Sequence, residues 1–484
     1  MIYRDVDGAA GEPHDLIIVG GGVYGGTLAM EAARRGLRPL LLERDDFGGA
    51  TSWNSHRIIH GGLRYLQSMD LGRFRQSVSE RRWFCRTYPE LVEPLECLMP
   101  LYGTGLKRPS AFRAALWLND LLSGRRNEGV QEDLHLPAGR VLDPAGTRSR
   151  FPGVDSRGLQ GGGLWYDAVM TSSVRILMET LRWACHNGAR ALNYVECIGL
   201  KSESNRVGGV EAVERSSEAV VDFRAPVVVN CAGPWSRALA LRFDRDHEAL
   251  FRPSLAFSLL LDREAPSEAT LAVTPRHSRA RTYFLRPTRN RIVAGTFHAS
   301  CAAYPASSDP GEEQIDRFLA ELNRAVPGLE VTTDDIVRVY AGLLPATKQG
   351  TQDTADRPII LDHARAGGPS GLWSVSGVKY TTARVVAEHT LRRVFAGSGR
   401  DLSVRPGSER PAPASDLFAS DLPPDFDGDA EEVGRVLRTL AEEEAVTCVD
   451  DLLSRRTEWT ADPRRAAAVA ASVTRLLGSK LSPL

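Results

Sequence analysis

Asp15-Leu-Ile-Ile-Val-Gly-Gly-Gly-Val-Tyr-Gly-Gly-Thr27, followed by Leu37-Arg-Pro-Leu-Leu-Leu-Glu43, is the stretch that decides the fold. The apolar run at 15–19 reads as a short buried strand. A glycine cluster follows, then helix-compatible residues from Leu28 to Arg35, with Gly36 at the position that closes a helix. Residues 37–42 read as a second, parallel strand ending at Glu43. Within this βαβ unit the spacing Gly20-x-Gly22-x-x-Gly25 has a mechanical meaning. Gly20 permits the tight turn, Gly22 lets a pyrophosphate approach the backbone, and Gly25 lets the helix pack on the strand. The helix N-terminus offers free N–H groups and a positive dipole end to the phosphates. Glu43 stands where a carboxylate can accept hydrogen bonds from an adenosine ribose. Three glycines alone also suit an ordinary turn; the strand, helix, second strand and terminal acid around them argue for a dinucleotide site. The unit lies at the extreme N-terminus, no second GxGxxG follows for a nicotinamide nucleotide, and no CxxC is present. FAD is therefore the expected cofactor.

Composition narrows the class. A chain of 484 residues, 42% hydrophobic, has room for two or three domains. A net charge of −1 supplies no general attraction for nucleic acid. Cys85, Cys97, Cys185, Cys197, Cys231, Cys301 and Cys448 are scattered without a CxxC pair, so neither a disulfide framework nor a zinc ribbon is expected. No metal centre is expected, and the thiols fit a reducing cytoplasm. No signal peptide and no apolar run of about 18–20 residues is present, which leaves a peripheral membrane contact as the only membrane role expected. Lysine is rare: Lys107, Lys201, Lys348, Lys379 and Lys480 are the whole set.

The expected architecture is α/β. It comprises a Rossmann-like FAD-binding domain from discontinuous segments, a substrate domain on a mixed or antiparallel sheet, and a small C-terminal helical region. The division is 12–70, 150–245 and 336–398 for the first, 71–149 and 246–335 for the second, and 428–484 for the third. Residues 71–140 read as an Arg- and Trp-rich helical insertion, 172–187 as an amphipathic helix stopped by Gly188, and 227–230 as a strand. Residues 312–325 read as a helix, 372–376 as a late strand, and about 381–395 as the helix after it. The Pro/Ser/Asp-rich stretch 403–427 reads as a linker.

Further along, Ala50-Thr-Ser-Trp-Asn-Ser-His-Arg-Ile-Ile-His-Gly-Gly-Leu-Arg-Tyr-Leu66 resembles the flavin-contacting segment of FAD-dependent glycerol-3-phosphate dehydrogenases, within the D-amino-acid-oxidase-like superfamily. Asn119-Asp-Leu-Leu-Ser-Gly-Arg-Arg126, Trp165-Tyr-Asp167, Asn230-Cys-Ala-Gly-Pro-Trp235, Gly377-Val-Lys-Tyr-Thr-Thr382 and Asp450-Asp-Leu-Leu-Ser-Arg-Arg-Thr457 are similar to further segments of that family, in order. The resemblance implies cofactor contacts from Gly20, Gly22, Gly25, Glu43, Arg44, Thr51, Ser52, Asn54, Ser55, His60, Gly61, Gly62, Leu63, Val195, Ala232, Gly233, Trp235, Gly342, Gly377, Lys379, Tyr380 and Thr381. Chemically, Ser52, Asn54 and Ser55 offer short donors for pyrophosphate and ribityl oxygens. Glycines 61, 62 and 233 would let backbone approach a flat ring. Lys379 would place a cation near the reduced flavin, at the start of a helix led by Thr381 and Thr382. Trp53 and Tyr65 read as packing, and Arg57 and Arg64 as structural or surface ion pairs. His60 has two readings, a polar group beside the ring or a core histidine satisfied by backbone.

The family pattern breaks in the substrate half. Its phosphate-binding arginine corresponds to Leu344 within Ala341-Gly-Leu-Leu-Pro345, its Lys-Gly-Ser-His stretch is Arg252-Pro-Ser-Leu255, and its Gly-Thr-Thr-Asp element is Gly295-Thr-Phe-His298. A lost charge-assisted contact costs about 1.5–3 kcal/mol. Lys348, Arg357 or His298 would have to compensate. The resemblance implies hydride transfer from an alcohol or amine C–H to flavin N5, with Lys379, His60 and His298 as candidate catalytic groups and an altered small-molecule substrate. Two alternatives stand beside it: an authentic quinone-linked glycerol-3-phosphate dehydrogenase, and a flavin-loaded binding protein without turnover. The electron acceptor (quinone, oxygen or another), the general base and a homodimer stay open at this level.

Overall fold

The computed structural model describes residues 1–103, 105–275, 281–301, 307–413 and 430–477. At its centre strand Leu16–Val19 lies parallel between Pro39–Leu42 and Val228–Asn230. Arg190–Leu192 extends the sheet beyond Pro39–Leu42, Leu372–Ser376 extends it beyond Val228–Asn230, and antiparallel Ile359–Asp362 closes the edge, giving six strands. The two inner strands are buried at every position because both faces are covered, which explains their unbroken apolar runs. Helices Val23–Ala33, Ser173–His186 and Ala383–Val394 cover one face through Leu28, Leu177, Leu181, Val386 and Leu391. The antiparallel meander Val195–Glu203, Arg206–Glu214, Ala219–Arg224 covers the other through Val195, Val207, Val210 and Phe223.

The second sheet has nine strands. Its order is Ile336–Pro345, Pro253–Leu261, Arg291–Ser300, Tyr283–Thr288, Thr270–Val273, Val92–Leu101, Gly161–Met170 and Ile58–Ile59, and Arg140–Leu142 also pairs with Gly161–Met170. It is mixed, since Thr270–Val273 runs parallel to Val92–Leu101. Three features depart from the sequence reading. Val92–Leu101, expected within a helical insertion, is a ten-residue strand. Pro94 and Pro100 disguise it locally, and its long antiparallel pairing with Gly161–Met170 supplies the structure. Gly161–Met170 and Ile336–Pro345, grouped by sequence with the nucleotide-binding part, belong to this sheet because their partners are remote in the chain. Residues 403–413 are a bound strap rather than a free linker. Trp183 Nε1 donates to the Ser408 carbonyl at 2.8 Å, and Arg410 Nη1 to the Thr87 carbonyl at 2.7 Å. Residues 414–427 lie outside the described residues.

The C-terminal helices Ala430–Glu443 and Pro463–Leu477, with the π-helical turn Asp451–Arg456 between them, share a small core of Leu437, Leu440, Leu452 and Val473. Buried charge ties this lobe down: Arg456 Nη2 donates to Asp46 at 3.0 Å and Arg175 Nη1 to Glu444 at 2.8 Å. Among the described residues no helix is long and apolar enough to cross a membrane.

Candidate cofactor and substrate site

The glycine turn is built as its spacing requires. Gly20 has φ +114°, and a Cβ there would lie 2.6 Å from the Cys231 carbonyl oxygen. A Cβ on Gly25 would lie 1.9 Å from the Gly20 carbonyl oxygen, so only glycine lets the helix sit this close. The helix begins at Val23, earlier than Leu28, with Gly22 as N-cap and no side chain capping it. Ser52 is brought to that end, and its Oγ accepts from Val23 N–H at 3.0 Å. Glu43 Oε2 accepts from Gly21 N–H at 2.6 Å and Oε1 from Asp45 N–H at 3.0 Å, which orient the carboxylate. Burial pushes the Glu43 carboxyl upward against those hydrogen bonds. Beside it the Val195 amide donates to the Glu43 carbonyl at 2.8 Å, and Arg44 lies 4.3 Å over the Trp235 ring. Ala232 N–H donates to Asn230 Oδ1 at 3.1 Å at the end of its strand. All of this lies at the carboxyl ends of parallel strands, where open α/β sheets bind ligands. The forced glycines, the helix N-terminus and the oriented acid fit the diphosphate and ribose of FAD.

The segment 50–66 runs from this turn toward the nine-stranded sheet. Asn54 Nδ2 donates to the Ala50 carbonyl at 3.2 Å, and Thr51 Oγ1 to the Leu343 carbonyl at 3.2 Å. Gly342 is required by Thr51, whose Cγ2 would lie 2.9 Å from a Cβ. Leu343 packs in the core, so alternation puts Leu344 on the face that Gly342 turns toward Thr51. Ser55 Oγ is buried without a hydrogen-bond partner. Leu63 packs its side chain in the cluster of Ile58, Leu95 and Phe112. The expected reason for several glycines changes. A Cβ on Gly61 would meet Arg81 at 2.1 Å, and Gly62 has φ +89° against Ser77. Gly233 has φ +53° with nothing within 4 Å, so its conformation and not space demands glycine. Gly377 faces Tyr24, whose ring would lie 1.7 Å from a Cβ.

Asp167 organises the polar end of the site. Its Oδ2 accepts from His60 Nδ1 at 3.0 Å and Trp165 Nε1 at 3.2 Å; its Oδ1 accepts from Gly61 N–H and Arg81 Nη1, both at 2.7 Å. Burial opposes the charge, but the hydrogen bond from His60, then the charge of Arg81 and the Gly61 amide, hold Asp167 down at about 2. An ionised carboxylate only accepts, so Nδ1 of His60 carries a proton. The imidazole is half-exposed and lies 5.0 Å from the Phe284 ring, centroid to centroid. His60 is thus held by a carboxylate rather than by backbone.

Lys379 lies with Nζ 4.6 Å from the Tyr65 ring centroid. It is open to solvent on one side yet crowded by protein on the others, and burial followed by the charge of Arg64 lowers it to about 8. His298 is lowered to about 4 by burial and then by Arg281 and Arg64, and its Nδ1 is buried without a hydrogen-bond partner. Arg64 was expected in an ion pair; among the described residues it has none, whereas Arg57 pairs with Glu458 at 2.5 Å. Tyr380 turns away from this cluster: its hydroxyl donates to the Ser173 carbonyl at 2.5 Å and its ring packs near Phe84. Thr381 lies in the 3-10 turn Tyr380–Thr382, and Thr382 Oγ1 folds back to the Lys379 carbonyl at 3.1 Å instead of capping the next helix. His298, Lys379 and Arg64 therefore share one field; Lys348 and Arg357 show no tie to it in any charge or hydrogen bond seen for these three.

Sequence reasoning passed over His56, four residues before His60. Its Nδ1 lies 3.1 Å from Ser258 Oγ, its Nε2 is buried without a hydrogen-bond partner, and burial, then Arg286, lowers it to about 3. It also gave Asp167 no role, although an acid inside the apolar run Gly161–Met170 is itself a signal of a buried charge with partners.

Comparison with known proteins places the chain in a family. Residues 15–393 match the family described as FAD dependent oxidoreductase. A glycerol-3-phosphate dehydrogenase of Synechocystis sp. is 30% identical over 426 residues, covering 84% of this chain and 75% of that protein. Glycerol-3-phosphate dehydrogenase 1 of Mycobacterium tuberculosis is 32% identical over 398 residues, covering 80% and 74%. Among solved structures, the FAD complex of glycerol-3-phosphate dehydrogenase from Bacillus halodurans superposes with a TM-score of 0.67 at 20% identity, over 97% of this chain and 94% of that one. The chain belongs to the FAD dependent oxidoreductase family, as an FAD-binding oxidoreductase related to glycerol-3-phosphate dehydrogenases.

Proposed function

We propose that this oxidoreductase oxidises a secondary alcohol that carries an anionic group, such as a polyol phosphate. The observation that carries the reading is the Arg64 guanidinium, which has no ion pair among the described residues and whose charge bears on both Lys379 and His298. Asp353 is the carboxylate whose charge reaches His298, and it is engaged by Arg281 at 2.9 Å, so the remaining charge of Arg64 and Lys379 favours a phosphate or carboxylate over an amine, whose own positive charge they would repel. Leu344, where the family resemblance implies an arginine, offers no charge to the anion, which leaves Arg64 and Lys379 to hold it.

Bound FAD would supply the two-electron hydride acceptor for the substrate carbon. His60 is suited to take the hydroxyl proton. Asp167 fixes the Nδ1–H tautomer, which leaves Nε2 as the basic nitrogen. Lys379 and Arg64 orient the anionic end, and Lys379 offsets negative charge accumulating near the ring. His56 and His298 stay neutral and so do not compete for the anion with a mobile charge.

Anaerobic bleaching of the visible flavin band by glycerol 3-phosphate, against glycerol and a simple amine, tests this. Bleaching by the phosphate alone supports the reading. Bleaching by the amine or by neutral glycerol at lower concentration overturns it, and reduction by dithionite but by none of the three would favour a flavin-loaded binding protein. Contact with an anionic lipid surface is a separate proposal. It is supported by Trp117, Leu121 and Leu122, exposed on helix Pro109–Leu122 near exposed Arg108 and Arg113. Vesicle flotation with and without Trp117→Ser checks it.

A further inference from the structure

Behind the Gly233–Trp235 turn, helix Ser236–Phe243 runs away from the cofactor site and ends at Asp244. There three side chains from two separate segments converge. Asp244 Oδ2 lies 3.0 Å from His363 Nδ1 and 3.3 Å from His247 Nε2, and the three candidate donor atoms all lie within 4.8 Å of one another. The two imidazoles are edge to face, with centroids 4.7 Å apart. None of these residues takes part in the chemistry derived above.

We propose that Asp244, His247 and His363 form a binding site for a zinc-type divalent cation. Ligand atoms on a tetrahedral ion with bonds of about 2.0–2.1 Å lie about 3.3 Å apart, so the two measured separations already match edges of such a polyhedron. Two imidazole nitrogens and one carboxylate oxygen are a borderline donor set that suits zinc, with water as fourth ligand from the partly open His247 side. The surroundings are arranged for it. His363 is fully buried, and its other nitrogen, Nε2, lies 2.9 Å from Ser374 Oγ, the kind of partner that fixes the orientation of a ligating imidazole. Asp246, the other acid of the loop, is engaged by Arg237 at 2.5 and 2.6 Å and so is held out of the cluster. Arg245 Nε donates to Asp244 Oδ1 at 3.1 Å; it weakens the attraction for a cation but leaves Oδ2 as the single oxygen ligand.

The site has a structural consequence. Ser374 Oγ also accepts from Asn230 Nδ2 at 3.2 Å, and Asn230 Oδ1 accepts the Ala232 amide at 3.1 Å. With the ion on Nδ1, the proton of His363 moves to Nε2 and points at Ser374. The ion thereby clamps the far end of helix Ser236–Phe243 to the turn after strand Ile359–Asp362 and steadies the chain from Ser374 to the cofactor-binding turn.

The test uses full-length, FAD-loaded protein, stripped with a chelator and titrated with zinc chloride. Metal content after desalting and the thermal midpoint are the readouts. One zinc per chain, a higher midpoint with zinc, and loss of both in His247→Ala are expected. His247→Ala also loses the contacts to Asp244 and the His363 ring, so its zinc-free midpoint should lie below that of zinc-free wild type, and the deciding quantity is the rise in midpoint on adding zinc, present in the wild type and absent in the variant. Removing a ligand should weaken zinc by about 100-fold or more. Cobalt in place of zinc should give the intense visible absorption of a tetrahedral centre, again lost in His247→Ala. No retained zinc in the wild type, or equal zinc in wild type and variant, overturns the proposal. Because none of these readouts is turnover, the result is independent of the substrate assigned above.

Discussion

His60 Nδ1 donates to Asp167 Oδ2 at 3.0 Å, while the other oxygen of the same carboxylate is held by Arg81 at 2.7 Å. Asp167 therefore sets both the tautomer and the angle of the imidazole from beneath the site. In Asp167→Asn the amide can present its NH₂ to Nδ1 and favour the wrong tautomer. Flavin reduction by the substrate should slow by about 10²–10⁴-fold, with FAD content and KM little changed. Stopped-flow reduction of the FAD-loaded variant measures this. A near-normal rate would remove His60 as the base.

Lys379 is expected to act as a cation. With a value lowered to about 8, it is charged below that pH and loses its charge above it. The reduction rate should fall on an alkaline limb near pH 8. In Lys379→Met that limb should vanish and the rate at neutral pH drop by about 10–100-fold, the worth of one charge-assisted contact. Lys379→Arg should keep the charge and move the limb upward. A pH–rate profile for the three proteins decides.

Acid should destabilise the fold in two windows. His56 and His298 are lowered to about 3 and about 4, below an ordinary 6.5. Their contribution is fully present above pH 6.5 and is lost as pH falls toward 4, because the unfolded chain takes up the protons first. At pH 5 each should cost about 2 kcal/mol relative to pH 7. Asp167, held at about 2 against 3.8, contributes above pH 4, and that stability is lost as pH falls through 2. Urea unfolding at pH 7 and pH 5 should show the first window, and the double variant His56→Gln, His298→Gln should flatten it.

Gly25→Ala should abolish FAD retention. Its methyl would lie 1.9 Å from the Gly20 carbonyl oxygen, so the helix must move away from the strand that positions the phosphates. The purified variant should be colourless and unfold at lower temperature. Gly11→Ala is the control, since a Cβ there meets nothing within 4 Å, and it should stay yellow.

Much of this molecule was legible in sequence because the information is local. The βαβ unit at 15–43 depends on neighbours within thirty residues, and helices Ser173–His186 and Glu312–Ala325 carry their own periodicity and stop signals. Val92–Leu101 was not legible, because a strand containing two prolines is stabilised by a partner some seventy residues away. Arg64 shows the same limit in the site. Its place in HGGLRYL could be read, but not whether an acid elsewhere in the chain meets its charge.

By itself, then, the sequence determined the cofactor class. A nucleotide-binding turn is written in residues that touch one another along the chain, where a missing Cβ or a terminal carboxylate has one use. Only the tertiary structure decided the surroundings of the candidate catalytic groups. Asp167 comes to His60 from 107 residues away and Ser258 to His56 from 202, and Lys379 meets Tyr65 across the fold. Tautomer, charge state and the field of Arg64 are set by burial and by these distant neighbours, which exist only once the two sheets have closed on each other.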